Sequence, residues 1–142
     1  MKDITLKITG RQISADNEED KMEFVSEGRL YEKNNSLYII YDESEFSGFP
    51  GCRTALKFTG DTVKMTRIGK AAGIGMEFVF EEGRRFSSEY RTPYGIFDME
   101  VLTKSLKGRL SEEGTGRIDI DYEVSFNGAR EGRNGLTIEV ME

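Results

Sequence analysis

The stretch GRIDIDYEVSF, residues 116–126, alternates apolar and polar side chains from end to end. An extended chain would place Gly116, Ile118, Ile120, Tyr122, Val124 and Phe126 on one face, and Arg117, Asp119, Asp121, Glu123 and Ser125 on the other. A period of two with one apolar face is typical of an antiparallel strand that packs on a single core. We therefore expect the even positions to be buried and the charged positions between them to be exposed.

The segments that precede this stretch repeat the alternation and are separated by turn signals. Asn34-Asn35 indicates a two-residue hairpin turn, because Asn tolerates positive φ angles. The turn predicts two pairs on each face: Leu30 with Ile39 and Gly28 with Tyr41 on the inner face, and Tyr31 with Tyr38 and Arg29 with Ile40 on the outer face.

Two further turns give the same kind of check on the register. A two-residue loop at Gly60-Asp61 pairs Phe58 with Val63, Leu56 with Met65, and Thr54 with Arg67. At Glu82-Gly83-Arg84 a two-residue loop would mix the two faces. A three-residue loop centred on Gly83 instead pairs Phe80 with Phe86 and Phe78 with Ser88.

The pattern as a whole predicts an all-β protein of about ten antiparallel strands and no helix, in one domain over residues 1–142. Sequential hairpins with one apolar face form either two packed sheets or a barrel, and closure removes exposed edge strands. We expect a closed up-and-down barrel, with a sandwich as the alternative. Long connections are expected near Asp16, Gly48 and Gly128.

Composition excludes several classes of function. The chain of 142 residues has no histidine, one cysteine and a net charge of -6, with a pI of about 4.9. Without histidine, neither a Cys-His nucleophile nor a Ser-His-Asp triad can form, and an acidic domain argues against nucleic-acid binding. We see no membrane-spanning segment, signal peptide, metal-site spacing or cofactor motif, and expect a cytoplasmic protein.

Short motifs from Phe49 onward carry a family resemblance: Leu56-Lys57-Phe58, Gly60-Asp61, Arg67-x-Gly69, Tyr90-x-Thr92-Pro93-Tyr94-Gly95, Tyr122-Glu123 and Asn127-Gly128. In these motifs the chain resembles the YwiB-like family of uncharacterised bacterial proteins. The resemblance implies a calycin-like β-barrel, related in shape to the lipocalins. It brings over no catalytic residues, because the family has no established activity.

Arg67 is the strongest candidate for a functional residue. The alternation places it on the inner face with Val63 and Met65, opposite Thr54, so its guanidinium would lie inside the barrel or at its mouth. A buried charge needs a partner. That partner is either the carboxylate or phosphate of a ligand, which Arg binds in a bidentate way, or the protein itself, through an ion pair with Glu43.

Other polar side chains are predicted to lie near the same end. The candidate ligand-binding set is Arg67, Thr54, Ser88, Tyr90, Thr92, Tyr94 and Tyr122. The alternative for the segment from Tyr90 to Gly95 is a stiff turn that contains Pro93 and has no ligand.

These observations leave two functional hypotheses ahead of a third, an enzyme, which we rank last. The first is a barrel that binds a small apolar acid in its interior. The second is a barrel filled by its own side chains that acts through its surface. Such a barrel could form a homodimer through an outer apolar cluster: Val25, Tyr31, Tyr38 and Ile40.

Overall fold

The computed structural model of the protein describes residues 1–14, 16–43, 51–69 and 75–142, and these form an all-β structure. Ten strands lie within them: β1 Lys2–Ile13, β2 Glu19–Lys33, β3 Ser36–Asp42, β4 Cys52–Thr59, β5 Thr62–Gly69, β6 Gly75–Glu81, β7 Arg85–Thr92, β8 Gly95–Leu110, β9 Gly116–Phe126 and β10 Ala129–Met141. Each strand pairs antiparallel with its neighbour in sequence, and β1 pairs with β10 to close a barrel. The predicted fold is confirmed. The described residues include no helix that could cross a membrane.

The stretch that predicted the fold is strand β9, and its inner face is packed as expected. Ile118, Ile120 and Val124 are buried, while Tyr122 and Phe126 are partly buried against the same core. On the outer face, Asp121 is exposed. The expectation was wrong for Asp119 and Glu123, which are half-buried, and for Gly116, which is exposed because it begins the strand at one end of the barrel.

The Asn34-Asn35 turn has the predicted geometry and register. Both residues have positive φ, 51° and 65°, and the ladder pairs Leu30 with Ile39 and Tyr31 with Tyr38. The ladder ends at Arg29 and Ile40, so the predicted pairing of Gly28 with Tyr41 is wrong. A turn fixes which residues face each other near it, but it does not determine how far two strands stay together. Here β2 pairs with β1 from Glu19 through Leu30, while β3 pairs with β4.

The Gly60-Asp61 register is confirmed in full. Phe58 pairs with Val63, and Thr54 with Arg67. Strands β6 and β7 keep the register of a three-residue loop, but Gly75 and Arg91 are their one ladder pair. The predicted pairs of Phe80 with Phe86 and of Phe78 with Ser88 are therefore absent.

Strand β8 forms hydrogen bonds with the loop that connects β6 and β7. Gly83 N donates to Thr103 O at 2.9 Å, and Thr103 N donates to Arg84 O at 3.1 Å. These hydrogen bonds hold the loop against β8, while Arg84 N also donates to Glu81 O of β6 at 3.0 Å.

The middle of the barrel is filled by the protein's own aromatic side chains. The ring centroids of Phe78 and Phe80 are 5.7 Å apart, and Tyr122 meets Phe80 edge-on at 4.9 Å. Phe80 is fully buried. Phe97 shares a face of β8 with the buried Met99 and Val101, yet it is 36% exposed because it lies near the end of the barrel.

We call the end of the barrel that carries the Pro93-Tyr94 and Asn127-Gly128 turns the upper end. The connection around Asp16 spans residues 14–18, as expected. Asn127-Gly128 is a two-residue turn between β9 and β10, so the expectation of a long connection there was wrong. Asn127 has a φ of 49°, which allows the tight turn. The predicted connection near Gly48 lies outside the described residues.

Candidate functional site

Arg67 points into the upper end of the barrel. Its side chain is 12% exposed, because Val63, Met65 and Arg67 share the inner face of β5. Arg67 Nη2 donates to Glu43 Oε1 at 3.2 Å, and Nε donates to Thr54 Oγ1 at 3.3 Å. The predicted inward direction is confirmed, and the internal ion pair with Glu43 is present.

Glu43 is the acidic partner, and its side chain is completely buried. Its Oε1 atom accepts hydrogen bonds from Thr54 at 2.7 Å and from Arg67. No donor among the described residues reaches Oε2, which is also buried. A buried acceptor without a donor costs roughly 1–3 kcal/mol. Oε2 can therefore take one further hydrogen bond.

The buried Tyr41 and the partly buried Tyr122 complete the surroundings of this ion pair. Burial, and then the charge of Glu43, raise the pKa of Tyr41 well above its usual value. Burial raises the pKa of Tyr122 to about 12, against the opposing effect of the Arg67 charge. Both phenols therefore stay protonated near neutral pH. We call Tyr41, Glu43, Thr54 and Arg67 the polar cluster.

An open groove of about 490 Å³ reaches Arg67 from outside, across strands β5, β6 and β7. Arg67, Met76 and Ser88 lie on the inner faces of these strands, yet their side chains line this outer groove. Inner-face residues line an outer groove because β6 and β7 separate beyond Gly75. Gly75 has no side chain to fill the space. The rest of the lining belongs to the outer surface: Thr66, Ile68, Glu77, Glu89 and Arg91.

The other candidate residues lie elsewhere or have structural contacts of their own. Thr92 Oγ1 donates to Gly95 O at 3.0 Å and accepts from Tyr94 N at 3.1 Å, so Thr92 stabilises the turn. Tyr94 is 93% exposed at the tip. Tyr90 packs edge-on against Phe126 at 6.1 Å. This geometry is that of the stiff turn. The structure thus gathers Thr54 and Ser88 around Arg67, places Tyr122 deeper in the core, and leaves Thr92 and Tyr94 outside.

Sequence reasoning named Glu43 only as an alternative partner and gave Tyr41 no role. A usable signal was present, since Ile39, Tyr41 and Glu43 continue one alternation through the end of β3. The groove had no such signal, because it depends on where two strands separate.

A second groove, of about 640 Å³, lies where β2 and β3 diverge. Gly28 and Arg29 of β2 line it on one side, and Ile40, Tyr41 and Asp42 of β3 on the other. The groove opens where the ladder between these strands ends, at Arg29 and Ile40.

Comparison with known proteins agrees with this architecture. The chain is 29% identical over 126 residues to "Uncharacterized beta-barrel protein YwiB" of Bacillus subtilis (strain 168), which covers 89% of this chain and 84% of that protein. The crystal structure of the ywiB protein from Bacillus subtilis matches with a TM-score of 0.75 and 26% identity, over 96% of this chain and 90% of that one. A family model described as a domain of unknown function, DUF1934, matches residues 6–138. The predicted resemblance is confirmed, and the chain belongs to the DUF1934 family of β-barrel proteins.

Proposed function

We propose that the protein is a cytoplasmic, non-enzymatic barrel that binds a small anionic or amphipathic molecule in the groove at Arg67. The observation that supports this most is the separation of β6 and β7, which makes an inward-facing guanidinium accessible from outside. Ligand pockets commonly have volumes of about 300–1,000 Å³, and this groove has about 490 Å³.

The lining favours a ligand with one acidic group and a short apolar body. Arg67 would bind the carboxylate or phosphate, and the Ser88 hydroxyl lies in the same groove. Met76 and Ile68 would contact the apolar part. The body must be short, because aromatic rings fill the barrel below. This moves the expected ligand from the interior to the groove.

The chemistry of the cluster favours binding over catalysis. The Glu43 carboxylate is held by Thr54 and Arg67, while Tyr41 and Tyr122 keep their protons at neutral pH. A general base needs a pKa near the working pH and access to the substrate. None of these groups meets both requirements.

Titration calorimetry with short-chain fatty acids and acyl phosphates tests the proposal. The useful variant is Arg67→Lys, which keeps a positive charge beside Glu43 but lacks the bidentate fork. We expect saturable binding by the wild type and about tenfold weaker binding by the variant. Arg53→Lys is the matched control, since Arg53 pairs with Asp42 at 3.0 Å on the exposed outer face. An absence of saturable heat, or equal losses in both variants, would contradict the proposal.

Self-association is the second candidate function, through the outer cluster of Val25, Tyr31, Tyr38 and Ile40. It is favoured by the Tyr31 and Tyr38 rings, which stack at 4.9 Å and within 3° of parallel. Lys57 Nζ lies 5.6 Å from the Tyr38 ring centroid, and Val25 is 66% exposed. Sedimentation of the wild type and of Ile40→Glu tests this function. A monomeric wild type refutes it.

A further inference from the structure

The two edges of strand β2 are paired over different lengths. Along one side it pairs with β1 from Glu19 through Leu30. Along the other side it pairs with β3 only from Arg29 to Lys33. Between Glu19 and Gly28, no described residue forms a ladder pair with this second edge. Along this stretch of ten residues, about every second residue directs its backbone N–H and C=O groups to the second edge, where a further strand can use them.

The side chains of this free edge are also incompletely covered. Val25 on the outer face is 66% exposed, and Met22 on the inner face is 44% exposed. Phe24 is only partly buried against the core. A strand with unpaired backbone groups and exposed apolar side chains on both faces is suited to pairing with another chain. The 640 Å³ groove at Gly28 adds open space at the lower end of this edge.

We propose that the partner is a second copy of this chain, whose own β2 pairs antiparallel with this edge about a two-fold axis at Phe24. The proposal rests on the second candidate function and names its contact. It makes a continuous sheet across the two barrels, with residues 20–28 of each copy in the new ladder.

Charge complementarity selects this register. An axis at Phe24 places Lys21 opposite Glu27 of the second copy, and the symmetry makes this pair twice. It also places Glu23 opposite Val25. Moving the axis to residue 23 would put Glu23 opposite itself, and moving it to residue 25 would put Glu23 opposite Glu27. Like charges directly opposite each other destabilise a strand pair.

A charge exchange tests this contact by sedimentation equilibrium. Within its own strand Lys21 pairs with Glu23 at 2.9 Å, at an exposed position. Lys21→Glu and Glu27→Lys should each weaken dimerisation by about tenfold, because each turns two attractive pairs between the copies into repulsive ones. The double variant should return to within about twofold of the wild-type Kd, since it restores both pairs with their signs exchanged. Lys64→Glu is the control, because Lys64 lies on β5 and pairs with Glu77. It should leave the Kd unchanged.

Hydrogen exchange at increasing protein concentration separates the edge from the outer cluster. We expect amides of residues 20–28 to gain protection as dimer forms. A dimer that Ile40→Glu disrupts and the charge variants do not would overturn the edge contact but keep self-association. Protection of these amides that is independent of concentration would mean that the same chain already covers the edge, which also overturns the proposal. A monomeric wild type refutes both the contact and the function.

Discussion

Removing the charge of Arg67 should destabilise the barrel strongly, because it would leave the Glu43 carboxylate buried without a charged partner. The Glu43 side chain is fully buried, and the Arg67 side chain is 12% exposed. At an effective dielectric constant of about 20, opposite charges 3.2 Å apart attract each other by about 5 kcal/mol. Arg67→Met removes this attraction and leaves one hydrogen bond to the carboxylate, from Thr54. Breaking a buried pair in this way typically costs about 3–5 kcal/mol.

Urea unfolding of a double-mutant cycle measures this effect. We expect Arg67→Met to lower the free energy of unfolding by about 3–4 kcal/mol. A domain of this size has about 5–15 kcal/mol in total, so the variant should still fold. Adding Glu43→Gln should recover about 2 kcal/mol, because the unpaired buried charge is then gone.

The exposed pair of Arg53 and Asp42 is the control. Their side chains are 69% and 74% exposed, so Arg53→Met should cost less than about 1 kcal/mol. If Arg67→Met cost no more than Arg53→Met, or if the Arg67 and Glu43 changes were additive, the ion pair would not stabilise the fold as we argue.

Four further predictions concern buried or constrained positions. Because the pKa of Tyr122 is raised to about 12 and that of Tyr41 is raised further, the free energy of unfolding should hold below pH 10 and fall above it, with roughly 2–3 kcal/mol of the fall between about pH 10 and 12 due to Tyr122. The fall should be smaller in Tyr122→Phe, as measured by urea unfolding across pH. Thr103→Val should leave stability unchanged or raise it by about 1 kcal/mol, since no described residue bonds its buried hydroxyl. Thr54→Val should lower the free energy of unfolding by about 1–3 kcal/mol, because it removes the hydrogen bond to the Glu43 carboxylate. In thermal unfolding Gly108→Ala should lower Tm more than Gly83→Ala. Both have positive φ, but an added Cβ at Gly108 would collide with neighbouring backbone, while Gly83 faces open space.

The registers could be predicted because they depend on local rules. Alternation assigns each residue to a face, and the turn type sets which residues are opposite. These two rules placed Arg67 opposite Thr54 inside the barrel, as the structure shows. The same alternation could have assigned Tyr41 and Glu43 to the polar cluster, because both continue the inner face of β3.

The extent of each ladder could not be predicted in this way, because it depends on contacts between distant segments. Strands β6 and β7 form one ladder pair, and the loop between them bonds Thr103 of β8, about twenty residues further along the chain. No local pattern in the sequences of β6 and β7 predicts this contact with β8. The turn between β7 and β8 shows a second limit of prediction from sequence, because a hydroxyl that could bind a ligand can instead bond its own turn. Thr92 looked like a ligand-binding residue, but its hydroxyl is used by its own turn.

The two grooves described above both lie where neighbouring strands separate. One follows the end of the β2–β3 ladder, and the other follows the single pair between β6 and β7. The middle of the barrel is occupied by Phe78, Phe80 and Tyr122, so it offers no comparable space for a ligand. Separated strands expose both backbone groups and inner side chains. The two proposals therefore share one physical basis: the proposed anion would bind at the gap beside Arg67, and the proposed second copy would pair with the edge of β2, both where the barrel wall is open.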